Sequence, residues 1–331
     1  QYYTNLPKVH DYLAEFKRDV LDFYDCFTVG EGPRMEPEVA LSYVREGKDK
    51  VLDMMINFAH MEADCFITDF LQRPFDLVKL KKAFTKWQTK MYGKGWNALY
   101  MENHDHPRII SRYGSEKYRV ESGKSIAASY LFQRGTPFVY QGQEIGMINT
   151  PLPSLDDYKD IMVKNNARIA RSLGLSKETV LRLAQKASRD NARTCMQWSG
   201  APNAGFTNGK PWFVVNSNYK DINVESQLDD PGSILNFYRN ALQFRRDNPV
   251  VIYGDYVEHM PKSKELYVYE RNLAGKKLLV ICSYSEKCVR FDAPEGITLD
   301  ETKQVFGNYD NNFVISNGFT TRPYEMRVYL F

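Results

Sequence analysis

Apolar positions along residues 8–23 recur every three or four residues. Val9, Tyr12, Leu13, Phe16, Val20 and Phe23 share one side of a predicted helix. The run YDCFTVGE (24–31) then reads as a short buried strand ending in a glycine turn, and PEVALSYVREG (37–47) as a helix stopped by glycine. A strand is predicted within 50–61. An amphipathic helix follows over 76–91, with Leu77, Leu80, Phe84 and Trp87 at helical spacing. The pattern repeats with a strand at 96–102, a small-residue helix at 122–134 and a strand at 136–144.

Strand and helix thus alternate four times over roughly 140 residues, the rhythm of right-handed parallel β-α units. Polar groups sit just past each strand: Glu31, His60, Asn103-His104-Asp105, and Gln141 to Glu144. In parallel α/β proteins ligands bind at the carboxyl ends of strands, so all four ends are expected to face one pocket. Two charge-rich helices are expected between 155 and 190, a long ordered loop over 190–212, and a helix over 231–249 bounded by Pro-Gly and Pro. From about 252 the period changes to two. ELYVYERN, KKLLVICSYS, CVRFDAP, NNFVISNG and YEMRVYLF predict an antiparallel β domain.

Composition narrows the function. The 331 residues suit one large and one smaller domain, and 43% hydrophobic content supports a sizeable core. A net charge of +3, from 44 basic and 41 acidic residues, gives no field for a polyanion, so nucleic acid is not an expected partner. The 22 tyrosines suit a packed core first and a sugar-binding surface second. Five cysteines without a CxxC motif imply no disulfide framework, and a reducing, cytoplasmic setting fits them. No run of about 18 apolar residues predicts a membrane span. The amino-terminal text has no signal pattern.

Candidate chemistry concentrates in YMENHDHPR (100–108), with two histidines, two carboxylates and an arginine in nine residues. A metal centre needs three or four convergent ligands, and adjacent His104 and Asp105 diverge on a strand or tight turn. The stronger reading takes carboxylates from two strands, Glu31 and Asp105, to one mouth. One carboxylic acid can protonate a leaving oxygen, and a carboxylate can stabilise a cationic sugar carbon. His104 would donate to a substrate hydroxyl, while Arg108 and Arg193 would orient carboxylates or hydroxyls through the planar guanidinium. His106 and Glu102 are read as bystanders. A lone glutamate after a strand is more often a helix cap or a surface residue, so Glu31 carries little by itself.

Four stretches change that. CFTVGE (26–31), NHDHPRIISRYG (103–114), GTPFVYQGQEIGM (135–147) and DNARTCMQWSGAPNAGFT (190–207), in this order, resemble the α-amylase superfamily, glycoside hydrolase family 13, and within it the oligo-1,6-glucosidase and α-glucosidase branch. The likeness extends over 215–251. It implies an α/β fold, the C-terminal part of a TIM (β/α)8 barrel over 1–250, followed by an all-β sandwich domain over 251–331. It implies a retaining α-glucosidase acting on oligosaccharides or disaccharides. Glu31 matches the family's general acid/base and Asp105 its transition-state-stabilising aspartate. His104 matches the histidine on the glucose hydroxyls and Arg193 the arginine at that sugar's non-reducing end, with Arg108 a further group around the site.

The match also departs from the family. The nucleophilic aspartate of a GFRxD-type motif is not found, and about four barrel strands are expected to be missing with it. Retaining hydrolysis needs nucleophile and acid about 5–5.5 Å apart, so the chain is expected to be inactive alone. It would be a fragment, one part of a split protein or an incomplete gene, with the missing barrel half as a partner. No cofactor is expected in this chain; a structural Ca2+ would belong to the missing half. Cys195 stands where the branch has proline, and GEGPRM replaces GEMPG-like text on the aglycone side. A sucrose isomerase or trehalose-forming relative is one alternative; the arginine-rich run of sucrose isomerases is absent near 60–82, which favours hydrolysis over isomerisation. A non-catalytic relative of the transporter heavy subunits is the other alternative, disfavoured by intact Glu31, His104 and Asp105.

Overall fold

A computed structural model describes residues 6–47, 50–66, 70–310 and 317–331. Four short strands lie side by side in chain order: β1 (Val29–Gly32), β2 (Met54–Asn57), β3 (Ala98–Leu99) and β4 (Thr136–Pro137). β1 pairs in parallel with β2, Met55 bridges in parallel to Asn97, and β3 pairs in parallel with β4. Helix α1 (Lys8–Asp19) precedes β1, and α2 (Pro37–Val44) and α3 (Leu77–Met91) follow β1 and β2. Helices α4 (Ile109–Tyr113) and α5 (Arg119–Leu131) separate β3 from β4. After β4 come α6 (Ile161–Ser172), α7 (Lys177–Ala187), α8 (Glu225–Leu228), α9 (Ile234–Asp247) and α10 (Pro249–Tyr253).

α3 shows why the periodic segments fold as predicted. The Asp76 carboxylate accepts hydrogen bonds from the Val78 and Lys79 amides at 3.0 and 3.3 Å, satisfying two donors that a helix start leaves open. Leu77, Leu80, Phe84, Trp87 and Met91 then form its buried stripe. The expected strands at 24–31 and 136–144 correspond to paired segments of only four and two residues, Val29–Gly32 and Thr136–Pro137. The loop over 190–212 contains a short helical turn at Arg189–Arg193 and a tight turn at Pro202–Gly205, in which Asn203 and Ala204 take left-handed φ values of 54° and 57°.

α1 departs from expectation. Val9 and Leu13 pack on the core below, but Tyr12, Phe16 and Phe23 are 61%, 49% and 76% exposed. Tyr24, Phe27 and Val29 continue this apolar strip onto β1, whose outer edge has no partner strand among the described residues. No described element covers the strip, so the periodicity is real and its outer half meets solvent.

The carboxyl-terminal segment forms β5 (Val257–His259), β6 (Leu266–Leu273), β7 (Lys276–Ser283), β8 (Arg290–Asp292), β9 (Gln304–Gly307), β10 (Gly318–Thr320) and β11 (Met326–Leu330). Five make an antiparallel sheet in the order β5-β6-β7-β11-β9, and β8 pairs with β10. The expected strand at 311–318 falls mostly on residues 311–316, outside the described residues. Both faces of the larger sheet are buried. Leu266, Val268, Leu279 and Ile281 pack with Phe291, Phe319 and Tyr329. Their alternates Tyr267, Tyr269, Leu278 and Val280 join the cluster of Leu99, Tyr130 and Phe237. The main apolar core therefore runs unbroken across residue 250. Arg271 ties the same junction. It is fully buried and donates to the carbonyls of Phe132, Val251 and Gly254 at 2.9, 2.9 and 2.5 Å, and burial lowers its pKa to about 10.

β6 and β7 form a hairpin from Leu266 opposite Ser283 to Leu273 opposite Lys276, closed by Ala274 and Gly275 at φ 49° and 81°. Two positive φ values define the turn whose twist matches the strands. Alanine pays for the left-handed region, and asparagine enters it readily. Ala274→Asn should raise unfolding free energy by roughly 1 kcal/mol. Urea denaturation with an unchanged slope would report it; a lowered midpoint would contradict the turn assignment.

Candidate active site

Glu31 lies on β1 opposite Ile56 of β2. The preceding Gly30 is closely packed: a Cβ there would sit 2.3 Å from Met55 Sδ, so the Met55 side chain would have to shift. The Glu31 side chain is exposed and lines a cavity of about 950 Å³ shared with Phe58, Met61, Asp105 and His106. Two carboxylates that the sequence placed at separate strand ends thus face one space.

Asp105 stands in the turn after β3, where Asn103 Oδ1 accepts from its amide at 2.9 Å. Its carboxylate is half-buried and held by two arginines, Arg193 Nη2 at 2.8 Å and Arg189 Nη1 at 3.4 Å. Arg193 Nε also donates to the His104 carbonyl at 2.9 Å. Arg193 is therefore a clamp on the His104-Asp105 turn rather than a free fork at the cavity. Arg189 is itself anchored to Asp160 Oδ1 at 2.6 Å, and this pairing holds the Asp160 carboxyl below the usual carboxylate range against its burial. Sequence reading missed Arg189 and Asp160; no spacing rule links them to Asp105, which lies over 50 positions earlier in the chain. His104 is 63% exposed, with Nε2 3.5 Å from Asp105 Oδ2.

Arg108 corrects the expectation of a substrate-binding group. It is fully buried, and its Nη1 binds Glu102 Oε1 at 2.5 Å and the Gln141 carbonyl at 2.8 Å. Glu102, expected to be a bystander, is the buried counter-charge, and its other oxygen accepts from the Ile109 amide at 2.9 Å. Burial pushes the Glu102 carboxyl up, while the guanidinium and that amide oppose the rise. Gly142, at φ 90°, passes so close that a Cβ would lie 2.9 Å from the Arg108 guanidinium. A second buried pair, Asp64 and Arg112 at 2.6 Å, braces the turn after β2 against α4.

The ends of the four strands do not all reach the cavity. β1 supplies Glu31, the segment after β2 supplies Phe58, Ala59, Met61 and Glu62, and the segment after β3 supplies Asp105 and His106. Gln143, past β4, is buried and turned inward, accepting from the Tyr140 amide at 3.3 Å. His60 is buried between Phe84, stacked at 5.1 Å, and Tyr100, edge-on at 4.5 Å. His106, expected to be a bystander, sits in the cavity wall, buried, with neither ring nitrogen hydrogen-bonded among the described residues. No group of three or more His, Cys, Asp or Glu side chains among the described residues is arranged to hold a metal ion.

Burial lowers the pKa of His60 to about 3 and that of His106 well below its ordinary value. The unfolded chain takes up these protons near pH 6.5, whereas folded His60 does so only near pH 3 and folded His106 only well below its ordinary value. Stability from these histidines is complete above pH 6.5 and is lost as pH falls from 6.5 toward 3. Each fully titrating histidine contributes a slope of about 1.4 kcal/mol per pH unit. Denaturation between pH 6.5 and 5 should show this fall, and His60→Phe, which keeps a ring between Phe84 and Tyr100, should flatten it. An unchanged slope would exclude His60.

Comparison with known proteins identifies the family. Residues 1–254 match the family model described as alpha amylase, catalytic domain. An oligo-1,6-glucosidase of Parageobacillus thermoglucosidasius is 41% identical over 99% of this chain and 59% of its own length. The crystal structure of Bacillus licheniformis trehalose-6-phosphate hydrolase superposes with a TM-score of 0.93 at 39% identity, covering 99% of this chain and 60% of that one. An isomaltulose synthase from Protaminobacter rubrum superposes at 0.91 with 33% identity, covering 98% and 59%. The chain thus spans about 59% of the length of the curated relative it matches. No helix among the described residues is long and apolar enough to cross a membrane.

Proposed function

This chain belongs to the α-amylase family, and from that premise we propose that it is the carboxyl-terminal portion of a retaining α-glucosidase acting on short α-glucosides. The observation that carries the reading is Glu31 and Asp105 on one cavity, Asp105 fixed by two arginines. Glu31 would give its proton to the glycosidic oxygen as the bond to C1 breaks. A nucleophilic aspartate outside this chain would bond to C1. Glu31, now a carboxylate, would take a proton from the water that then attacks C1 and releases the aspartate. Asp105 would stabilise the positive charge developing at C1 between these states, with His104 on the sugar hydroxyls. No cofactor is needed.

In this reading β1 to β4 are half of a closed (β/α)8 barrel and β5 to β11 a β-sandwich domain. The unpaired edge of β1 and the apolar strip of Tyr12, Phe16, Phe23 and Phe27 are where the other half docks. An isomerase is less favoured because the arginine-rich run of sucrose isomerases is absent. A non-catalytic relative is less favoured because both carboxylates still line the cavity. The test joins the segment that precedes the matched region in the Parageobacillus relative to this chain. Hydrolysis of p-nitrophenyl α-glucoside is expected from the joined protein and not from the chain alone. A folded joined protein without hydrolysis would overturn the reading.

A further inference from the structure

One aromatic ring in the wall of the cavity that holds Glu31 and Asp105 serves no packing role. Phe66 lines that cavity and is 54% exposed. It belongs to no buried apolar cluster among the described residues. Phe58, the other phenylalanine in the wall, is already engaged. Its ring meets Tyr100 edge-on at 6.1 Å and His106 at 5.8 Å. The ring contact of Phe66 is instead a cation. The Arg73 guanidinium lies over its face, 4.0 Å from the ring centre.

The place of this ring is well braced. Phe66 stands on a short hairpin beyond the turn after β2. Cys65 bridges antiparallel to Gln72, and the Phe66 amide donates to the Leu71 carbonyl at 3.2 Å. The Arg73 amide donates to the Asp64 carbonyl at 2.7 Å. Asp64 is fixed in turn by Arg112, whose Nε and Nη2 reach its two carboxylate oxygens at 2.8 and 2.6 Å in a buried, two-pronged pair. Arg112 Nη2 also donates to the Met61 carbonyl at 2.7 Å. Both arms of the hairpin therefore stand on a buried ion pair, and Arg73 on one arm steadies the ring on the other. The guanidinium takes one face of the ring and leaves the rest of its surface to the cavity.

We propose that Phe66 is a stacking platform for the leaving group, so that the preferred substrates are α-glucosides whose leaving group has a flat apolar face, an aryl group or a second sugar ring. The inference rests on the glucosidase reading and deepens it. The glucose to be cleaved is held at Asp105 through charge and hydroxyl contacts, and a phenyl ring supplies neither. Beyond the bond that Glu31 protonates, the leaving group needs a surface to lie on. An aromatic ring and the C–H face of a pyranose both gain by covering Phe66. Pro33 and Met162 extend the apolar wall around it. Phe66 sets specificity and takes no part in the proton transfer.

The test is calorimetric titration of the 331-residue chain with methyl α-glucoside, p-nitrophenyl α-glucoside, maltose and isomaltose. Methyl α-glucoside presents no flat leaving group and sets the baseline. The flat-faced glucosides are expected to bind about three- to tenfold tighter, the gain of one stacking contact. A gain for the aryl glucoside alone, or for the disaccharides alone, assigns the platform to that class. Phe66→Ala should abolish the gain and leave the affinity for methyl α-glucoside within about twofold, while circular dichroism stays native. Phe66→Tyr should keep the gain, and Arg73→Met should reduce it. Equal affinity for every glucoside in the unaltered chain would overturn the platform and leave the glucosidase reading standing. A gain that survives Phe66→Ala would overturn the assignment to this ring. An equal loss for all ligands, methyl α-glucoside included, would make Phe66 a structural or glucose-contacting residue and overturn the proposal too. Binding of no glucoside to the folded chain would overturn the glucoside cavity itself, and this inference with it.

Discussion

Glu31→Gln should lower kcat on p-nitrophenyl α-glucoside by about 10²–10⁴ in the joined protein, the range ascribed to a positioned general acid/base. The amide keeps the volume and the place on β1, so the fold and the cavity are retained. It cannot deliver a proton to the leaving oxygen. Two readouts separate this role from a structural one. First, a substrate whose leaving group departs without protonation, such as 2,4-dinitrophenyl α-glucoside, should lose far less rate in the first chemical step. Second, azide should restore turnover by attacking the glycosyl-enzyme without base assistance. A variant that slows both substrates equally and ignores azide would remove Glu31 from the acid/base role. Asp105→Asn offers the contrast: it should slow both substrates together, because it acts on charge at C1 whatever the leaving group.

Arg108→Met should cost about 3–5 kcal/mol of stability, since it leaves the Glu102 carboxylate buried and unpaired. Arg108 is fully enclosed, and its guanidinium spans Glu102 and the Gln141 carbonyl, so it links the turn after β3 to the turn after β4. Glu102→Leu should be costly too, stranding the cation. The double variant should recover a large part of the loss, because two buried charges disappear together. Urea denaturation of the four proteins measures the coupling. In the joined protein held well below its melting temperature, Arg108→Met should leave KM for the glucoside within about twofold, as expected of a group with no substrate contact. A large KM change with intact stability would return Arg108 to the binding site.

Much of this was legible before the coordinates. The helix over 76–91 and the strand over 96–102 announce themselves by period, because backbone geometry fixes which residues share a face. Period placed Glu31 and Asp105 at strand ends, and the likeness of CFTVGE and NHDHPRIISRYG to the α-amylase family singled them out. The fate of charged neighbours was not legible. In YMENHDHPR, Glu102, Asp105 and Arg108 lie within seven residues, yet two are sealed in the interior and one faces the cavity. His106 follows Asp105 directly, and it became cavity wall rather than bystander. Spacing is blind to this because burial depends on the layer that covers a residue. Here that layer is the turn at Gln141 and Gly142, more than thirty positions away.

The sequence by itself determined the order of β-α units, the helices and their apolar faces, and the change to antiparallel strands after residue 252. These follow from local periodicity and from the handedness of short connections, which need only neighbouring residues. Tertiary structure alone decided that Arg189 and Arg193 converge on Asp105 and that Arg108 serves Glu102. It also turned the β4 end away from the cavity and carried the core across residue 250. Each of these is a meeting of segments distant in the chain. Their pairing is set by which surfaces exclude water together, a property of the packed whole rather than of any window of sequence.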